Sequence, residues 1–132
     1  MRRFGPPPSA EEIEGLARSA LERLPQPFAE HVRDVVLSVQ EFADEETLAE
    51  LELEDPFELT GVYSGRPLTD RSIADSGTLP DRVILYRRPI LDEWASEGEQ
   101  LEDLVTHILI HELGHHFGFS DADMHALEDQ VR

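Results

Sequence analysis

Hydrophobic residues recur at helical spacing in two parts of the chain. The first part runs from Ser9 to Pro25, and its apolar residues fall on one face of a helix: Ile13, Leu16, Ala17, Ala20, Leu21 and Leu24. Ser9 followed by Glu12 is the sequence of a capping box, which predicts the start of this helix, and Pro25 predicts its end. We therefore predict an N-terminal helix with one face in the core.

The second part predicts a longer helix near the C-terminus. The capping-box pair Ser96 and Glu99, together with Gly118, which suits the left-handed residue that ends a helix, places this helix over residues 97–117. A short last helix follows over residues 121–129. The apolar stripe of the longer helix continues onto two histidines: Leu101, Leu104, Val105 and Ile108, then His111 and His115.

Strand patterns occur between the two helices. The clearest of these patterns is RVILYR, within residues 81–88, and Pro89 closes it. The acidic residues 44–55 predict a short solvated helix, and residues 66–80, rich in Pro, Gly, Ser and Thr, predict a loop that lines a cleft. Three strands are predicted, over residues 35–42, where apolar and polar residues alternate, and over residues 58–63 and 81–88.

These elements predict an α/β (α+β) fold, in which a small, mainly three-stranded sheet carries the N-terminal helix and the longer C-terminal helix. The 132 residues fit one domain, which we place over residues 9–132. Residues 1–8, MRRFGPPP, predict a flexible arm. No apolar run follows the two arginines, so the arm has the pattern of neither a secretory signal nor a membrane anchor.

The composition limits the function classes. Hydrophobic residues make up 39% and charged residues 30%, which are globular values, and without cysteine any metal must be held by histidines and carboxylates. The formal net charge of -18 repels nucleic acid and anionic membranes, so we predict neither as a partner. The same charge would attract basic peptides or proteins, although solubility alone also accounts for it. We expect a cytoplasmic protein.

The candidate chemistry lies on the longer helix. The sequence HELGH, an HExxH pattern, begins at His111 and continues as HExxHxxGxxD through Gly118 and Asp121. At ~3.6 residues per turn, His111 and His115 lie one turn apart on one face, where both imidazoles can bind one ion. Glu112 lies beside them and can polarise a water without being a ligand. The turn at Gly118 could bring Asp121 to the ion as a third ligand, leaving a fourth position open, as in a catalytic zinc site.

Alternatives stay open for the residues around the motif. Ser120 with Asp123 is also typical of the start of a helix, so Asp121 could instead be an acid in the first turn of the last helix. Two helical histidines and one later residue already complete an open site, so we expect the neighbouring histidines to lie outside the ligand set: His107, His116 and His125.

The HExxHxxGxx(H/D) form resembles the metzincin branch of the zincin metallopeptidases. More narrowly, the chain is similar to the small, single-domain bacterial zincin-like metallopeptidases. That similarity rests on residues 59–69 (LTGVYSGRPLT) with Arg71, on residues 83–90 (VILYRRPI), and on HELGHHFGFSDADM, which begins at His111. In the larger proteases a methionine beneath the metal comes well after the third ligand, whereas Met124 follows that position almost at once.

The resemblance implies a minimal zincin-like fold and a defined set of site residues. Zinc would be held by His111, His115 and Asp121, with Glu112 as the general base. It also implies that an edge strand beside the HExxH helix holds an extended substrate. Tyr86 and Arg87, on the third predicted strand, would then be candidates to contact substrate.

The sequence therefore predicts a zinc-dependent hydrolase, in the first place a metallopeptidase that cleaves a peptide or protein substrate. His116 and Tyr86 are candidate donors to the oxyanion. One alternative is a zinc-binding, non-catalytic regulatory or interaction module with an acidic surface, although a purely structural site would not need Glu112. Another is zinc-dependent hydrolysis of a non-peptide amide or ester. The sequence predicts nothing about the oligomeric state.

Overall fold

The computed structural model describes residues 5–64 and 81–131 of the chain. The predicted loop over residues 66–80 lies outside the described residues, as does part of the predicted arm over residues 1–8. The described part is an α+β fold, as predicted, and a turn of 3-10 helix, Pro56–Glu58, precedes its second strand. Its helices and strands are α1 (Ala10–Glu22), α2 (Phe28–Val32), β1 (Val36–Gln40), α3 (Glu45–Glu50), β2 (Gly61–Ser64), β3 (Arg82–Tyr86), α4 (Arg87–Glu97), α5 (Leu101–Phe117) and α6 (Asp121–Val131).

The three strands form one mixed sheet in the order β1-β3-β2. β1 runs parallel to β3, with Leu37 opposite Val83, and β2 runs antiparallel to β3, with Val62 opposite Ile84. β3 is therefore the central strand, and the prediction that it forms the edge beside the HExxH helix is wrong. An almost unbroken apolar run such as RVILY is what a strand covered on both faces shows. Among the described strands, the edge strand that packs against α5 is β2.

Pro89 does not close the third strand, as the sequence predicted, because β3 has already ended at Tyr86. It lies in the first turn of α4, which begins at Arg87 directly after β3. Proline fits there because the first backbone N–H groups of a helix have no partner within the helix, so the missing donor costs nothing. The segment that joins β3 to the HExxH helix is therefore an additional helix, which the sequence did not predict.

The predicted start of the HExxH helix near residue 97 is also wrong. Ser96 lies in the last turn of α4, where its hydroxyl donates to the carbonyl of Glu93 at 3.1 Å. Gly98, with φ of 72°, ends α4 in the left-handed conformation that glycine adopts without strain. α5 then begins at Leu101, and its end at Gly118, with φ of 75°, is as predicted.

The N-terminal helix is confirmed, together with its capping box. Ser9 Oγ accepts the N–H of Glu12 at 3.1 Å, and the Glu12 carboxylate accepts the N–H of Ser9 at 3.3 Å. The predicted short acidic helix is α3, capped by Asp44, whose carboxylate accepts the N–H of Thr47. α2 was not predicted, because a helix of 5 residues is too short to show periodicity.

α5 lies at the centre of the described fold. It packs against α1, α4, α6 and the sheet, so it is buried on several sides rather than on one. No described helix is both long enough and apolar enough to cross a membrane. The buried residues of α5 are Leu104, Val105, Thr106, Ile108, Leu109, Ile110, Leu113 and Gly114.

Candidate metal centre

α5 carries Glu112 and four histidines, and its geometry directs them to two sides. With ~3.6 residues per turn, His107, His111 and His115 lie one turn apart along one stripe of the helix. Glu112 and His116 follow His111 and His115 by one residue, so they lie about 100° further round. The stripe borders α6, whereas Glu112 and His116 border the edge strand β2.

On the α6 side, Glu128 lies between two of the histidines. Its carboxylate oxygen Oε1 is 2.6 Å from His107 Nδ1, and Oε2 is 3.6 Å from His111 Nε2. The two rings lie with their centroids 4.1 Å apart. One ligand atom from each of the three residues falls within 4.8 Å of the others. We call this group the inner cluster: His107, His111 and Glu128.

The inner cluster leaves one ring nitrogen without a hydrogen bond. His111 Nε2 is buried and has no hydrogen-bond partner in the described part of the chain, since 3.6 Å to Glu128 is too long for one. Burial lowers the pKa of His111, and the neighbouring His107 lowers it further, while Glu128 raises it. A neutral imidazole with a free lone pair beside a carboxylate is the donor set that zinc binds. The residues present therefore fit a transition metal.

On the β2 side, Glu112 meets the edge of the sheet. The backbone N–H of Tyr63 donates to its carboxylate. Tyr86 donates its N–H to the carbonyl of Thr60, so these two residues form a hydrogen-bonded pair. Such pairs alternate with non-hydrogen-bonded pairs along an antiparallel register, and Tyr63 with Val83 is one of the latter. The backbone N–H and C=O groups of Tyr63 therefore point away from β3. Burial raises the pKa of Glu112, and His115 and the Tyr63 N–H oppose that rise. Glu112 thus lies at the side of β2 that faces away from β3.

His116 fixes β2 against α5. Its ring stacks on that of Tyr63, with centroids 3.7 Å apart and planes 11° from parallel. The Tyr63 hydroxyl donates to Asp81 Oδ2 at 3.0 Å, and His116 Nε2 lies 3.5 Å from the same oxygen. His116 is buried by these contacts, which align the edge strand with the helix that carries Glu112.

Gly114 lets α6 approach α5 closely. A Cβ atom at this position would lie 2.7 Å from Met124 Cγ and 3.6 Å from Phe119 Cβ. Met124 and Glu128 are one turn apart on α6, and Met124 is 1% exposed. The glycine between the two histidines of HELGH is therefore required by the contact between the helices.

The sequence that carries these features matches one protein family. The sequence pattern of the family described as Zincin-like metallopeptidase matches residues 32–131, which includes all of α5 and α6. The chain belongs to the zincin-like metallopeptidase family. No curated protein matches it.

Of the ligands that the zincin-like motif predicts, the described structure brings only His111 into the inner cluster. His115 lies on the same helix, exposed, with its ring centroid 6.3 Å from that of His111. Asp121 is the exposed first residue of α6, after Ser120, whose Oγ accepts the N–H of Asp123 at 3.1 Å. Asp121 thus has the first-turn position of the alternative interpretation. The roles of His115 and Asp121 as zinc ligands stay predictions.

Tyr86 and Arg87 lose the basis on which they were expected to contact substrate. Tyr86 is 2% exposed and belongs to the central strand. Arg87 opens α4, where its Nε donates to the Pro8 carbonyl at 2.7 Å and its Nη1 lies 2.7 Å from a Glu41 carboxylate oxygen. These contacts join the segment before α1 to the rest of the fold.

Sequence reasoning missed two members of the inner cluster. His107 was expected outside the ligand set, and Glu128 was not considered at all. One signal was present, because Glu128 shares the buried face of α6 with three apolar residues: Met124, Leu127 and Val131. An acid on an otherwise apolar stripe needs a partner, and here that partner lies on α5.

Proposed function

We propose that this zincin-like metallopeptidase is a zinc-dependent peptidase in which Glu112 is the general base. One observation carries the proposal. The Glu112 carboxylate follows directly after His111, whose buried Nε2 has no hydrogen bond in the described residues, and it accepts the N–H of Tyr63 on the side of β2 that faces away from β3. A proton acceptor between a metal ligand and a strand edge is what hydrolysis of an extended peptide requires.

The metal would be zinc, held in its catalytic position by the motif residues. Zinc, when bound, acidifies a water molecule and polarises the carbonyl of the bond to be cleaved. Two imidazoles and a carboxylate are the donors of an open zinc site, and the motif offers His111, His115 and Asp121 for it. With no cysteine in the chain, thiolate ligands are excluded.

Glu112 would carry the proton transfers. Its carboxylate accepts a proton from the attacking water and delivers it to the departing amine, so one group acts first as base and then as acid. The Tyr63 N–H donates to the carboxylate and favours the charged form that can accept a proton.

The substrate would be a peptide in extended conformation. Gly61 and Tyr63 are the β2 positions whose backbone groups turn away from β3, which is the side on which an extended peptide would pair. A substrate strand there would compete with Glu112 for the Tyr63 N–H, which releases the carboxylate towards the water. The net charge of -18 favours peptides that carry basic residues.

One observation favours the alternative, a zinc-binding module without catalysis. Among the described residues, His107, His111 and Glu128 bring ligand atoms within 4.8 Å of one another, and that group does not involve Glu112. A structural or regulatory site would need these three residues and no general base.

Glu112→Gln separates the two functions. We would measure zinc content by elemental analysis and cleavage of a mixed peptide library by mass spectrometry, for the wild type and for two variants. Glu112→Gln should keep its zinc and lose cleavage by about 100-fold or more, the usual contribution of a general base. The control is Glu102→Gln, an exposed acid in the first turn of the same helix, which should cleave normally. Wild-type protein that holds zinc and cleaves nothing would instead support the module.

A further inference from the structure

We propose that the inner cluster is a second transition-metal position. His107, His111 and Glu128 would hold the ion there, apart from the motif ligands His115 and Asp121. Because both positions use His111, only one of them would be filled at a time. The existence of the inner position does not depend on peptidase activity, whereas its competition with the motif position rests on the proposed function.

The spacing of the atoms supports this assignment. Ligand atoms ~2.0–2.1 Å from one zinc in tetrahedral geometry lie ~3.3–3.4 Å from each other. His111 Nε2 and Glu128 Oε2 are 3.6 Å apart, which is too long for a hydrogen bond and close to the separation of two ligands of one ion. His107 Nδ1 lies 2.6 Å from Oε1, and one ligand atom from each of the three residues lies within 4.8 Å of the others.

Burial supplies the second, independent observation. Glu128 is 3% exposed and sits on the apolar face of α6, where a carboxylate needs compensation by opposite charge or by hydrogen bonds. It has a short contact to His107 and only a long one to His111, whose Nε2 is buried without a hydrogen bond in the described residues. A divalent cation would satisfy the carboxylate and the ring nitrogen together.

The sequence spacing repeats that of the motif itself. His107 and His111 stand four residues apart on α5, as do His111 and His115, so either pair can bind one ion. The Nε2 atom of His111 has one lone pair and faces Glu128. An ion in the inner position therefore takes the ligand that the motif position also needs, on the side of α5 that meets α6.

Cobalt binding tests the proposal without any substrate. Co²⁺ is the probe, and its visible absorption bands report both binding and coordination number. We would titrate it into the purified chain and into a double variant, His115→Gln with Asp121→Asn, which lacks the motif ligands other than His111. The double variant should still bind one Co²⁺ per chain in a four- or five-coordinate site. Adding Glu128→Gln to it should weaken that binding by at least about 100-fold, since even residues that only support ligands cost 10–100-fold.

The controls keep structural effects apart from ligand effects. His107→Gln, at a partly exposed side chain, should weaken binding in the double variant as Glu128→Gln does, and circular dichroism checks that each variant is folded. His125→Gln, at an exposed position of α6 outside the cluster, should change nothing. Loss of all cobalt binding in the folded double variant would overturn the inner position. Two ions bound per wild-type chain would overturn the sharing of His111.

The two proposals fail in distinguishable ways. If the chain cleaves no peptide but the double variant binds cobalt through Glu128, the peptidase is refuted and the inner position stands. If cleavage and metal binding both depend on His115 and Asp121, and Glu128→Gln alters neither, the inner position is refuted and the peptidase stands.

Discussion

Replacing Gly114 with alanine tests how closely α5 and α6 are packed. The new Cβ would lie 2.7 Å from Met124 Cγ, a separation that carbon atoms in folded proteins do not adopt, and Met124 is fully buried, so it must move. Overpacking of this kind costs about 1–3 kcal/mol. Alanine in place of glycine in a helix interior stabilises by about 1 kcal/mol, which offsets part of that cost. We therefore expect Gly114→Ala to lower the free energy of unfolding by up to about 2 kcal/mol.

Gly15→Ala is the matched control. Gly15 lies within α1, it is exposed, and a Cβ there meets nothing within 4 Å, so only the helix-propensity gain remains. Urea unfolding of both variants at the same pH should separate them by about 1–3 kcal/mol, which is the overpacking cost alone. Equal stabilisation by the two substitutions would refute the close approach of the helices.

A double-mutant cycle identifies the partner. Met124→Ala removes a buried side chain and should cost about 2–5 kcal/mol in the wild-type background. In the Gly114→Ala background it also relieves the overlap, so it should cost about 1–3 kcal/mol less. If Met124→Ala costs the same in both backgrounds, the two residues are not in contact and the argument fails.

Two further predictions concern helix caps. Ser9→Ala should lower the free energy of unfolding by about 1 kcal/mol, because it removes the capping box with Glu12. Ser96→Ala, within α4, should change that free energy by less than about 0.5 kcal/mol. Both are measured by urea unfolding, and equal effects would contradict the two assignments. Hydrogen bonds from Thr47 hold the pKa of Asp44 below its usual 3.8, so its cap contributes fully above that pH and is lost as pH falls through the lowered pKa. The difference in urea midpoint between wild type and Asp44→Asn should therefore shift between pH 5 and pH 2, and a constant difference would exclude this titration.

Local patterns predicted the elements whose ends depend on neighbouring residues alone. The capping box at Ser9 is such a case, because its hydrogen bonds form within one turn and need nothing from the rest of the chain. The same pattern at Ser96 failed. A serine followed three residues later by glutamate does not reveal whether a helix is beginning or a previous helix is ending. Here Gly98 lies between the two residues and ends α4 in the left-handed conformation.

The sequence predicted only those features of the candidate site that lie within α5 itself. The HExxH spacing correctly put His111 and Glu112 on one helix, on adjacent faces. Which histidine pair meets a carboxylate depends on where α6 crosses α5, and that crossing is tertiary. Similarly, the strand that meets Glu112 is β2 and not β3, because the strand order depends on pairing between segments distant in sequence.

Packing and chemistry are coupled at the crossing of α5 and α6. Met124 lies over Gly114, and one turn further along α6 Glu128 lies beside His111 and His107, so the two helices run in opposite directions along this contact. The missing side chain at Gly114 permits the close approach, and the close approach is what brings the Glu128 carboxylate within reach of the histidines. A side chain at Gly114 would push α6 outwards at Met124 and draw Glu128 with it. The glycine inside HELGH therefore belongs to the candidate metal centre although it offers no side chain to it, because it sets the distance at which the opposite helix presents the Glu128 carboxylate.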